Sequence, residues 1–141
     1  MPETFVVTEA MLRHIATKAM GLDPDMEVQY TGSLPDKARR RRGNWTLRGV
    51  FLTVFDDDGV GECFSFWSPA TGVAACDLLM WLVRERDWVV FDMWGARDRA
   101  HCAVQVRDVS AGGDEVSAAG DTLCEAILRA ILAATGWEEA P

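Results

Sequence analysis

Apolar residues along this chain recur at two periods, and each period predicts a kind of element. Met11, Ile15, Ala19 and Leu22 are three to four residues apart, which predicts a helix over 8–20. Thr8 suits its N-cap and Glu9 the positive end of the helix dipole, while Gly21 and Pro24 end it. A short strand is expected over 26–31, then a polar loop over 32–43 that holds Pro35. Residues 45–55 are rich in β-branched and aromatic types and predict one strand, apolar on both faces and so covered on both sides. Asp56-Asp57-Asp58-Gly59 is a turn signal, and 61–67 return as the second arm of a hairpin.

Ser68 and Pro69 are an N-cap and a first-turn residue for a second helix reaching Asp87. Its apolar face comprises Val73, Cys76, Leu79, Met80 and Val83. Residues 88–94 read as a strand with Trp88 in the core, 95–100 as a charged turn, 101–108 as the return, and 111–114 as a flexible loop. Thr122-Leu123-Cys124-Glu125 is a capping box for a helix over 122–135. Leu123, Ala126, Ile127, Ala130, Ile131 and Ala134 form its stripe, and Gly136 stops it. The order α, hairpin, α, hairpin, α predicts an α+β fold. A mainly antiparallel sheet of four to five strands would be layered with three helices. The 141 residues are read as one domain, with a basic loop over 33–43 and an acidic tail over 137–141.

Composition narrows the class without naming a function. With 49% hydrophobic and 26% charged residues, the chain is neither disordered nor collagen-like nor a disulfide scaffold. It carries 14 basic against 22 acidic residues, a net charge of −8. Lys37 and Arg39 to Arg42 hold five of the positive charges, leaving the rest at 9 against 22, or −13. Such a body repels nucleic-acid backbones, so direct binding of duplex DNA is not expected. It could instead occupy a groove meant for nucleic acid. No basic, apolar leader and no run of 18 apolar residues occurs, which predicts a cytoplasmic chain without a membrane partner.

Catalytic signatures are sparse. Cys63, Cys76, Cys102 and Cys124 occur singly, with no C-x-x-C pair for zinc or thiol exchange, and three of them sit among apolar neighbours. His14 and His101 are the two histidines, and no motif joins either to a nucleophile or metal. The aspartates at 56–58 lack the alternating ligands and closing glutamate of a calcium loop. No catalytic residue, metal or cofactor is therefore expected.

The candidate binding residues are arginines and one tryptophan. Arg39, Arg40, Arg41 and Arg42 could grip phosphates bidentately, or could form a solvated loop or a strap across the acidic body. Trp94 stands at a hairpin tip beside Arg97 and Arg99, where an aromatic could stack a base while arginines hold phosphate. Arg129 follows Glu125 by four residues, the spacing of a surface ion pair on a helix.

Several stretches resemble the small phage proteins called phage ABA-sandwich proteins and, more loosely, the NinX-like phage family. Ile15-Ala16-Thr17-Lys18-Ala19-Met20-Gly21 resembles the "A-x-K-V-M-G" ending of their first helix. Trp67-Ser68, the stretch from Ala74 to Val83, and Asp87-Trp88 resemble their tyrosine-serine start, second helix and following "G-W". The last helix, from Asp121 through Arg129-Ala130-Ile131-Leu132, resembles their "C-R-A-A-L" helix. The patches cover about half the chain, and 32–66 has no counterpart. The resemblance implies a layered α/β/α sandwich and a phage or prophage origin. Small phage proteins of this kind include counter-defence agents. The expectation is a non-enzymatic protein that inhibits a host protein or ribonucleoprotein, in the manner of an anti-CRISPR. The alternative is a sponge for a cyclic nucleotide immune signal, using Arg129, Arg97, Arg99 and Trp94 or Arg39 to Arg42. Either is compatible with a homo-oligomer.

Overall fold

Thr8 opens the first helix from extended backbone, its Oγ1 accepting from the Met11 N–H at 3.2 Å. In the computed structural model, which describes residues 5–28, 43–56, 60–66, 73–106 and 115–137, α1 spans Glu9–His14. It continues as a π-helical turn over Ile15–Ala19, and Leu12, Ile15, Ala16 and Ala19 face the core. Gly21 then leaves the helix at φ +72°, as its place in the sequence predicts. A 3₁₀ turn over Pro24–Met26 leads to Glu27, which bridges Trp45 in parallel, and the Val28 N–H donates to the Trp45 carbonyl. The rest of the strand predicted over 26–31 lies outside the described residues.

The predicted single strand over 45–55 is in fact a hairpin. β1 spans Trp45–Arg48 and β2 spans Phe51–Phe55, with Arg48 opposite Phe51. Gly49 turns the chain at φ +61°, while Val50 has no positive φ. Glycine at the first of two turn residues is the type II′ pattern that matches the twist of paired strands. β3, Gly61–Ser65, completes an antiparallel sheet of order β1-β2-β3. Trp45, Leu47, Leu52 and Phe64 fill its inner face. The other face is not covered as expected, since Phe51 is 44% exposed and Cys63 is exposed. The turn between β2 and β3 begins with Asp56, whose Oδ1 accepts from the Val60 N–H at 2.8 Å. Trp45 also anchors the N-terminal segment: its Nε1 donates to the Asp23 carbonyl at 2.9 Å, and Arg13 lies 5.7 Å from its ring.

α2, Val73–Arg86, buries Ala75, Leu78, Leu79 and Leu82. Its predicted start at Ser68 lies outside the described residues. Asp87 takes a left-handed φ of 58°, and Trp88 is buried, as expected. β4 spans Val89–Gly95 and β5 Ala100–Gln105. They pair with an unpredicted strand, β6 over Glu115–Gly120, in a second antiparallel sheet of order β4-β5-β6. The fold is thus α+β, and among the described residues there are three helices and six strands in two three-stranded sheets, where one sheet of four or five strands was expected.

α3, Leu123–Ala134, carries the predicted stripe into the core, and Ile127, Leu128 and Ile131 are almost wholly buried. Each such side chain contributes about 1.5–3 kcal/mol by leaving water. The Thr122 Oγ1 accepts from the Glu125 N–H at 3.1 Å. Glu125 reaches back one residue further than a standard capping box, accepting from the Asp121 N–H at 2.6 Å. α3 lies against β5 and β6 and also against α2, α2 reaches β3, and α1 reaches β1. No helix among the described residues is long and apolar enough to cross a membrane.

Candidate functional site

β4 is the edge of the second sheet, and most of it faces solvent. Val90 pairs with Val104 and Asp92 with Ala103, so Phe91 is an extra residue, a bulge that re-aims the strand. Three apolar side chains stand out along this strand: Phe91 is 53% exposed, Met93 36% and Trp94 41%. The register places Met93 on the face of buried Cys102 and Trp94 on the opposite face with His101, so the exposed apolar side chains flank both sides of this edge.

The tip of the β4–β5 hairpin adds charge to this surface. The Ala96 N–H donates to the Arg99 carbonyl at 2.7 Å and closes the turn, leaving Arg97 and Arg99 exposed. The Arg99 guanidinium carbon lies 5.7 Å from the Trp94 ring centre. On β5, His101 is directly opposite Trp94, and their rings stack at 6.0 Å with 21° between planes. The His101 Nε2 is 3.8 Å from the Asp92 Oδ2, beyond hydrogen-bond range. The hairpin tip presents an aromatic flanked by His101 and Arg99, with a second positive charge on Arg97. Among the described residues, no group of three or more His, Cys, Asp or Glu could hold a metal ion.

Of the residues singled out from sequence, Trp94, Arg97 and Arg99 come together on this hairpin. Arg39, Arg40, Arg41 and Arg42 lie outside the described residues. Arg129 belongs elsewhere. It projects from α3 beside β6, two strands across the sheet from β4, or roughly 10 Å at ordinary strand spacing. It makes the expected ion pair, Nε to Glu125 Oε1 at 3.1 Å, and lies 4.9 Å over the Phe5 ring. Phe91 and Met93 escaped the sequence reading, because in a run such as 88–94 they look like core. The available signal was Asp92 between them, which interrupts the apolar run.

Comparison with family models, with curated proteins and with solved structures finds no match.

Proposed function

We propose that this chain is a non-enzymatic binding protein that docks a partner on the exposed edge and tip of the β4–β5 hairpin. The observation that supports this is the exposure of Phe91, Met93 and Trp94 along β4, which is an edge strand among the described residues, near Arg97 and Arg99. Aromatic, methionine and arginine side chains are the types enriched where proteins meet. The partner belongs to a bacterial host, and binding it disables a defence. This part of the proposal rests on the resemblance to small phage proteins. A host protein or ribonucleoprotein is the favoured partner, because an acidic chain can complement a basic groove while the hairpin supplies apolar contact.

A second reading, sequestration of a cyclic nucleotide signal, draws on Arg99 beside the Trp94 ring. It is the weaker of the two, because His101 already stacks on that ring and a base would have to compete with it.

The test is a plating assay in bacteria that carry a defence system. Expression of the chain should restore plaques of a restricted phage, and a folded Phe91→Ser/Trp94→Ser variant should not. Equal rescue by that variant, or no rescue across a panel of defences, would count against the proposal.

A further inference from the structure

A sheet edge is a row of unspent backbone donors and acceptors, and β4 is one edge of the second sheet among the described residues. In an antiparallel ladder the residues of a strand alternate: one turns its N–H and C=O towards the neighbouring strand, and the next turns them away. The phase is set at the hairpin tip, where the Ala96 N–H donates to the Arg99 carbonyl at 2.7 Å. Counting back along the register, Trp94 opposite His101 and Asp92 opposite Ala103 also turn inward to β5. Met93 and Gly95 therefore turn their N–H and C=O outward, to the open side of β4.

The side chains beside this edge lie on both faces of the sheet. Met93 shares a face with Cys102, and although α3 packs over β5 and β6, Met93 stays 36% exposed. Trp94 stands on the other face with His101 and is 41% exposed. A helix laid on one face would cover one of the two and leave the other in water. A strand added in the plane of the sheet sends alternate side chains to both faces and meets both. The bulge at Phe91 interrupts the edge at one end and the turn at Ala96 closes it at the other, so the added strand is short.

Charge selects what that strand carries. Arg97 and Arg99 lie at the tip end of the edge, and neither makes an ion pair among the described residues. With Asp98 between them the tip holds two positive charges against one negative, a net +1 on a chain of −8. A carboxylate on the incoming strand complements that tip. A second copy of this chain brings the same −8, and the two bodies repel.

We propose that β4 accepts an extended segment of a partner protein as an added strand, with apolar side chains on both faces and a carboxylate at the end that reaches Arg97 and Arg99. Its backbone pairs with Met93 and Gly95. This names the partner's chemistry at the hairpin and rests on the docking proposed above.

The probe is a displayed library of random linear peptides, panned on the whole chain, with the best binder synthesised for NMR. In the free chain the amides of Met93 and Gly95 should exchange with solvent faster than those of Asp92 and Trp94. The peptide should slow exchange at Met93 and Gly95 by about tenfold or more. Met93→Pro removes an outward donor, a change that an edge strand tolerates. It should weaken the peptide at least about tenfold more than Met93→Ala, which keeps the donor. No binder, a binder that leaves exchange at Met93 and Gly95 as before, or a free chain that sediments as a dimer with those amides protected would each overturn the proposal. A peptide lost by the Phe91→Ser/Trp94→Ser variant but bound equally by Met93→Pro and Met93→Ala would keep the docking surface and overturn the added strand. A peptide bound equally by all three variants and the unmodified chain would overturn both. Exchange is read on the unmodified chain, so its outcome stands even where Met93→Pro does not fold.

Discussion

The His101 imidazole lies almost parallel to the Trp94 indole across the β4–β5 pair, with 6.0 Å between ring centres. With Arg99 on the same indole, an exposed tryptophan is held in one place before any partner arrives. Holding it so lowers the entropy lost on binding. His101→Ala should therefore weaken partner binding by about tenfold or less while shifting stability by less than about 1 kcal/mol. A titration of the partner against both proteins, with urea unfolding alongside, checks this. Unchanged affinity would show that the stack does not prepare the surface.

The turn at Gly49 separates backbone strain from crowding. Its φ is +61°, and a Cβ there would meet nothing within 4 Å. Gly49→Val should still destabilise by about 1–3 kcal/mol, because β-branched residues resist that backbone conformation. Urea unfolding of the variant provides the measurement. An unchanged midpoint would mean that Arg48 and Phe51 are joined by a different turn.

His14 gives a pH dependence whose sign can be worked out. Burial holds its imidazole below the ordinary value of 6.5, while its Nε2 contacts the Thr135 Oγ1 at 3.0 Å and its ring meets Trp137 edge-on. Below pH 6.5 the unfolded chain takes up a proton that the folded chain resists, so this contribution to stability falls as pH falls and recovers as pH rises. The difference in stability between neutral and mildly acidic pH should be smaller in His14→Gln than in the unmodified chain. All other groups are common to both proteins and cancel. Identical differences would show that His14 is accessible to protons in the folded state.

The four thiols should differ sharply in reactivity. Burial pushes Cys102 and Cys124 up to about 11, and it raises Cys76 as well, whereas Cys63 is exposed on the outer face of the first sheet. Since the thiolate is the reactive form, iodoacetamide at neutral pH should label Cys63 first and the other three only after unfolding. Peptide mass spectrometry resolves the sites. Early labelling of Cys102 or Cys124 in the native protein would contradict the packing of α3 on β5.

What could be read from the sequence followed the strength of local signals. α3 was legible from Thr122 to Gly136, because capping, period and stop all agree. The break at Gly49 was not, since a lone glycine between Arg48 and Val50 resembles an interruption within a strand, and both halves are β-formers. β6 was missed because Ser117, Ala118, Ala119 and Gly120 have little intrinsic strand preference; pairing with β5 makes them a strand. Their smallness has a second consequence: a Cβ on Gly120 would sit 2.6 Å from the Glu125 Cγ, so glycine admits the cap of α3. At the site, Trp94, Arg97 and Arg99 are neighbours in sequence and were found together. The outward-facing backbone of Met93 and Gly95 was invisible, because only pairing with β5 decides which groups of β4 are left open.

The central claim, that the β4–β5 hairpin is where this chain meets its partner, is tested most directly by paired affinity capture. The unmodified chain and a folded Phe91→Ser/Trp94→Ser variant would be passed over lysate of a defence-carrying host, and the retained proteins and RNA compared by quantitative mass spectrometry and sequencing. The account predicts one host protein or ribonucleoprotein that the unmodified chain retains and the variant loses, with unchanged unfolding midpoints for the two chains. Retention of the same partner by both chains would contradict it.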